Sequence, residues 1–81
     1  MLPSKSSLEV ALADAGHAHH DYETVVLKGV RDELWPGFYA AFVLGRLGEF
    51  TSASRLAQLL EAVPAQPDWS AVATEHVLAR L

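Results

Sequence analysis

The feature that most constrains this chain is an uncharged stretch of eleven residues near its middle, Leu34–Leu44. It holds four of the seven aromatic residues of the chain, namely Trp35, Phe38, Tyr39 and Phe42. On a helix these side chains spread around much of the circumference, which is typical of a helix buried on several sides. The stretch is far shorter than the roughly 20 apolar residues that span a bilayer. We therefore expect it to be enclosed by the rest of the chain or by a second molecule.

The composition limits the kind of protein this can be. A length of 81 residues predicts one helical domain, residues 1–81, and the hydrophobic fraction of 51% is high for that size, so we expect a homo-oligomer or a protein partner. The absence of cysteine excludes disulfides and thiolate chemistry. A net charge of −4 with scattered basic residues disfavours nucleic acid. We expect a soluble cytoplasmic protein without cofactor or membrane association.

Four segments have helical patterns separated by short loops. The first has apolar or half-polar positions at spacings of four and three residues, which predict one inward face: Leu8, Leu12, Ala15, His19, Tyr22 and Val26. Helix ends are indicated by Gly29, by Pro36 and Gly48, by Thr51 or Ser52, and by Asp68 as an N-cap. The sequence predicts an all-α bundle with helices at about residues 7–28, 36–47, 52–63 and 68–80.

The residues that most resemble a site are His19 and Glu23, one helical turn apart, together with Trp35 and Tyr39. A carboxylate at this spacing can fix the tautomer of an imidazole, and burial would shift both pKa values. Two interpretations stay open. His19 is a core histidine whose nitrogens are satisfied by Glu23 and a tyrosine hydroxyl, or the four residues border a ligand-binding pocket.

Other histidines give weaker signals. His17, His20 and Asp21 share one helical face and are a candidate metal site, although a solvated polar face explains them better. His76 lies on the apolar face of the last helix and is expected to be packed rather than to bind a ligand. Residues 51–81 have the outline of a helix-turn-helix, but the second helix offers few side chains for phosphates, so DNA binding ranks last.

The segments Ala18–Glu23 and Trp35–Ala40 carry a resemblance. They are similar to a little-characterised group of small helical bacterial proteins, in which an Ala-His-x-x-aromatic-Glu helix precedes a Trp-x-x-Trp-Tyr-Ala segment. Similar sequence accompanies glyoxalase/bleomycin-resistance-like domains. Phe38 stands here in place of the second tryptophan. The resemblance covers about a third of the chain; it implies an all-helical fold and groups His19 with Glu23, Trp35 and Tyr39, but it implies no activity.

The leading prediction for function is a non-catalytic interaction or accessory module that self-associates, because the chain has an apolar excess and no catalytic motif. The alternative is a small-molecule binding protein or minor enzyme with its pocket at His19, Glu23, Trp35 and Tyr39. The two predictions differ in what covers the aromatic stretch, a second chain or a ligand.

Overall fold

The computed structural model describes all 81 residues and contains four α-helices: α1 (Lys5–Val25), α2 (Trp35–Leu47), α3 (Ala53–Glu61) and α4 (Trp69–Arg80). There is no β-strand, and the predicted all-α class with four helices is confirmed. The helices pack in a ring in chain order, so that α1 and α3 each contact α2 and α4. None of the helices combines the length and the apolar character that crossing a membrane requires.

The core lies where the inner faces of the four helices meet. Its buried hydrophobic side chains come from every helix and from the segment after α3: Leu8, Ala11, Leu12, Ala15, Ala40, Val43, Leu44, Leu56, Leu59, Leu60, Val63, Ala73 and Val77. The aromatic residues of α2 are not among them; all four are partly buried. Small and aliphatic residues therefore fill the centre, and the rings of the uncharged stretch lie at its edge.

Local capping explains three of the helix ends. The Ser4 hydroxyl accepts a hydrogen bond from the Ser7 amide at 3.1 Å, and the Ser52 hydroxyl accepts one from the Arg55 amide at 3.1 Å. Gly48 follows α2 with a φ of 89°, a left-handed value that suits glycine. These caps agree with the sequence-based prediction for α2 and α3.

The predicted end of α1 is wrong. The helix stops at Val25 rather than near residue 28, and Val26 is 57% exposed instead of joining the inward face. Lys28 and Gly29 both adopt positive φ, at 57° and 87°, and the Gly29 amide donates to the Glu23 carbonyl at 2.8 Å. This closure ends the helix one turn earlier than the apolar spacing predicts.

The start of α4 also differs from the prediction. Asp68 is the N-cap residue, but it has left-handed backbone dihedrals and its side chain makes no capping hydrogen bond. Its carbonyl instead accepts hydrogen bonds from the Ala71 and Val72 amides, at 3.0 and 3.1 Å. The turn orients the first residue of α4, Trp69, so that its indole Nε1 donates to the Val63 carbonyl at 3.1 Å.

Candidate ligand-binding site

His19 lies near the C-terminal end of α1, and only 6% of its surface is exposed. Its Nε2 is 3.0 Å from Oδ2 of Asp32, and its Nδ1 is 3.8 Å from Oε1 of Glu23. The Phe38 ring and the imidazole pack edge to face, with centroids 4.9 Å apart. Both nitrogens thus face carboxylates, and Nε2 donates to Asp32, since an ionised carboxylate can only accept a hydrogen bond.

Asp32, in the connector between α1 and α2, is the partner that the sequence analysis missed. Its backbone amide donates to Oε2 of Glu23 at 2.7 Å, and its Oδ1 accepts a hydrogen bond from the Leu34 amide at 2.9 Å. The hydrogen bond from His19, followed by that from the Leu34 backbone, lowers the pKa of Asp32. An aspartate whose side chain accepts a hydrogen bond from the amide two residues later forms a common turn. This turn was the local sequence signal that could have identified Asp32.

The second component of the site is a group of three rings, from Trp35, Tyr39 and Trp69. Their centroids are 5.1 Å apart for Trp35 and Tyr39, 5.7 Å for the two tryptophans, and 5.6 Å for Tyr39 and Trp69. Every pair is packed edge to face, with angles of 75°, 78° and 81° between ring planes. Trp69 is the first residue of α4, and nothing in the sequence placed it beside α2.

Two adjoining recesses open beside these residues. The larger, here called the aromatic cleft, has a volume of about 460 Å³ and is lined by Arg31, Trp35, Tyr39, Glu61, Val63, Pro64, Ala65, Gln66 and Trp69. The smaller, here called the histidine recess, has a volume of about 310 Å³ and is lined by His19, Glu23, Arg31, Asp32, Trp35 and Tyr39. Arg31, Trp35 and Tyr39 border both. The four residues singled out from the sequence therefore line one recess.

Tyr39 stands between the two recesses, and its hydroxyl makes no hydrogen bond within the chain. The expected hydrogen bond between a tyrosine hydroxyl and His19 is absent: the rings of Tyr39 and His19 pack with their centroids 5.6 Å apart, and Asp32 takes the place predicted for the hydroxyl. Burial and, secondarily, the charge of Glu23 raise the pKa of Tyr39, so the phenol stays protonated at neutral pH. A Cβ on Gly16 would lie only 3.1 Å from the hydroxyl oxygen.

The remaining histidines lie outside this site. His17, His20 and Asp21 are all exposed on α1, and no group of three or more His, Asp or Glu side chains is arranged to hold a metal ion. His76 is partly buried in α4, in the packed environment that the sequence predicts, but its Nε2 is buried without a hydrogen-bond partner.

Comparison with known proteins identifies no relative of this chain. The chain matches no family model, no curated protein and no solved structure.

Proposed function

We propose that this protein is a non-catalytic binding module that holds a small organic ligand in the aromatic cleft. The observation that carries the proposal is the convergence of Trp35, Tyr39 and Trp69, from two different helices, on one recess of about 460 Å³. Binding sites for small molecules typically have volumes of about 300–1,000 Å³, with mostly apolar walls and a few polar groups. Arg31, Glu61 and Gln66 supply such groups at this cleft.

Two features support a function in binding. The rings are large and apolar, yet they are only partly buried and keep a concave surface open beside them. In addition, the connector that carries Arg31 and leads into Trp35 is fastened to α1 through Asp32 and Glu23. A cleft whose walls are held in place loses little conformational entropy when a ligand binds.

The state of His19 favours binding over catalysis. A general base needs a nitrogen that can reach the proton of a bound substrate. Nε2 of His19 is engaged by Asp32, and Nδ1 is directed at Glu23. With both nitrogens facing carboxylates of the chain itself, the imidazole is suited to fastening the connector.

The proposal is tested by NMR with a panel of small fragments of differing charge. Both tryptophans of the chain lie in the cleft, so both indole N–H signals report on it. Ligands are expected to shift these signals and the amide signals of Val63, Ala65 and Gln66, which also line the cleft. A recess of about 320 Å³ on the opposite part of the bundle, lined by Ser6, Ser7, Val10, Ala11, Arg46 and Leu47, is an internal control. The proposal is contradicted if the panel shifts neither indole signal, or if it shifts the signals of residues in both recesses equally.

Matched variants separate loss of the cleft from loss of the fold. Trp69→Ala removes one wall of the cleft and should abolish the fragment-induced shifts at Trp35. Val72→Ala, also in α4 but at an exposed position, should leave them unchanged. Circular dichroism of both variants checks that the helices remain.

Self-association is a second candidate, favoured by a separate apolar surface. Val25, Val26, Val30 and Leu34, around the connector, have exposed fractions between 57% and 79%. Such a run of exposed aliphatic residues is typical of a surface that another molecule covers. Sedimentation velocity over a wide range of concentrations tests it: we expect a dimer that Val26→Glu and Leu34→Glu convert to monomer. A chain that is monomeric throughout excludes this candidate and leaves the first one standing.

A further inference from the structure

The three rings of the aromatic cleft meet at nearly right angles and form a corner that is open to solvent. The planes of Trp35, Tyr39 and Trp69 are mutually close to perpendicular, at 75°, 78° and 81°, and all three residues line the same recess. The face of an aromatic ring carries negative partial charge and its edge positive partial charge. A ligand in the corner can therefore contact several rings at once, and a positive charge would be attracted to their faces.

The formal charges around the two recesses sum to a negative net charge. Three carboxylates line them, those of Glu23, Asp32 and Glu61, against the single guanidinium of Arg31. The carboxylates still outnumber the cations when His19 is counted as charged. Glu61 is exposed and forms no salt bridge, whereas Arg31 has Glu33 within 3.4 Å.

Glu23 also acts on Tyr39, which lines both recesses. After burial, the second cause of the raised pKa of Tyr39 is the charge of Glu23. A carboxylate that disfavours a phenolate at this position favours a cation at the same place, by the same Coulomb interaction. Because Tyr39 lines both recesses, the negative charge in the histidine recess also acts on the aromatic cleft.

We infer that the ligand of the aromatic cleft is a small organic cation carrying a methylated ammonium group. This inference rests on the function proposed above and names its ligand class. A quaternary ammonium has no N–H group and presents methyl groups around its charge, which suits aromatic faces combined with a nearby carboxylate. The group occurs on free molecules such as choline and on trimethylated lysine side chains.

The decisive experiment compares choline with 3,3-dimethyl-1-butanol, which has the same shape without the charge. Binding to the full chain is followed by tryptophan fluorescence, since both tryptophans line the cleft. Choline is expected to bind about tenfold more tightly than the neutral compound. Equal binding overturns the inference but leaves the proposed function intact. Failure of both compounds, together with a silent fragment panel, overturns both.

Two charge variants give effects of opposite sign. Glu61→Gln should weaken choline binding by about threefold, and Arg31→Gln should strengthen it by about the same factor, because both positions are exposed and screened by solvent. Neither should change binding of 3,3-dimethyl-1-butanol. The reverse pattern, or tighter binding of benzoate than of choline, would identify an anion site and refute the inference.

A final comparison distinguishes the two sources of the methylated ammonium group, a free small molecule and a trimethylated lysine side chain. A short peptide with one trimethyllysine is compared with the same peptide carrying unmodified lysine. Preference for the trimethylated peptide over choline assigns the cleft to a modified protein, and the opposite preference assigns it to a free small molecule. Both results support recognition of the methylated ammonium group, while tighter binding of the unmodified lysine peptide contradicts it.

Discussion

His19 and His76 each have at least one ring nitrogen shielded from water. Their surroundings differ, because carboxylates flank His19 whereas the buried nitrogen of His76 has no polar partner. His19 has a carboxylate beside each nitrogen, with Asp32 at 3.0 Å and Glu23 at 3.8 Å. Nε2 of His76 is buried with no partner, and burial, followed by the charge of Arg80, lowers the pKa of that histidine. One imidazole thus ties a connector to a helix, and the other is held by packing alone.

The difference shows what a buried polar side chain contributes to this fold. The hydrogen bond from His19 fixes Asp32, and Asp32 lies next to Arg31 and three residues before Trp35, both of which line the recesses. Removing that imidazole should disturb the walls of the site. His76 has no such link, so its ring nitrogen bears the unfavourable free energy of desolvation without a compensating hydrogen bond.

The largest effect is expected from His19→Ala. The substitution leaves a cavity beside Phe38 and Tyr39 and deprives Asp32 of its hydrogen-bond donor. We expect the free energy of unfolding to fall by about 2–3 kcal/mol, measured by urea denaturation. His17→Ala, at an exposed position of the same helix, should change it by less than about 0.5 kcal/mol. Equal midpoints for the two variants would show that the His19 contacts contribute nothing.

Most of the fold could be predicted from the sequence because its determinants are local. Apolar spacing placed the helices, and Ser52, Pro36 and Gly48 indicated where two of them begin or end. The early end of α1 could not be predicted, because it depends on Lys28 adopting a left-handed conformation that a lysine rarely favours. The left-handed dihedrals of Asp68 were missed as well, although aspartate adopts this conformation more readily than lysine.

The site was only half predictable. His19 and Glu23 were found because they lie one turn apart on a single helix, where spacing alone sets their distance. Asp32 reaches His19 across the α1–α2 connector, and Trp69 reaches Trp35 only because α4 starts beside the end of α3. Those two contacts depend on the path of the connector and on tertiary packing, which no periodicity encodes.

A smaller loss of stability is expected from Asp32→Asn. This variant keeps the shape of the side chain but removes the charge that Nε2 of His19 faces. Because the folded-state pKa of Asp32 lies below its ordinary value of 3.8, the charged carboxylate stabilises the fold above that pH. The contribution is lost as the pH falls through the folded-state pKa. Melting temperatures of the wild type and the variant should therefore differ at neutral pH and converge in strong acid.

Glu33→Gln is the control for this prediction, since it removes a neighbouring carboxylate that is exposed. Its melting temperature should stay close to that of the wild type at neutral pH. If Glu33→Gln lowers stability as much as Asp32→Asn, the effect arises from the overall charge of the connector and not from the hydrogen bond to His19.

His76→Leu should act in the opposite direction, raising the free energy of unfolding at neutral pH by about 0.5–1 kcal/mol because an unpaired buried nitrogen is removed. The pH dependence sharpens the contrast. The folded-state pKa of His76 is below the ordinary 6.5, so on acidification the unfolded chain takes up the proton first. Wild-type stability should therefore decline below about pH 6.5, and thermal melts should show a smaller decline for the variant. An identical decline in both proteins would assign it to other groups.

The smallest net effect on stability is expected from Gly16→Ala. This substitution tests how firmly Tyr39 is held in its position beside His19. Alanine should stabilise a helix interior by about 1 kcal/mol over glycine, but here the new Cβ lies 3.1 Å from the Tyr39 hydroxyl. We expect the two terms to offset each other to within about 0.5 kcal/mol in urea denaturation. Gly45→Ala in α2 is the matched control, because a Cβ there meets nothing within 4 Å. Gly45→Ala should show most of the stabilisation of about 1 kcal/mol that alanine gives over glycine in a helix. If Gly16→Ala is stabilised as much as Gly45→Ala, Tyr39 moves aside freely, and the wall between the two recesses is mobile even though a hydrogen bond to Asp32 fixes His19.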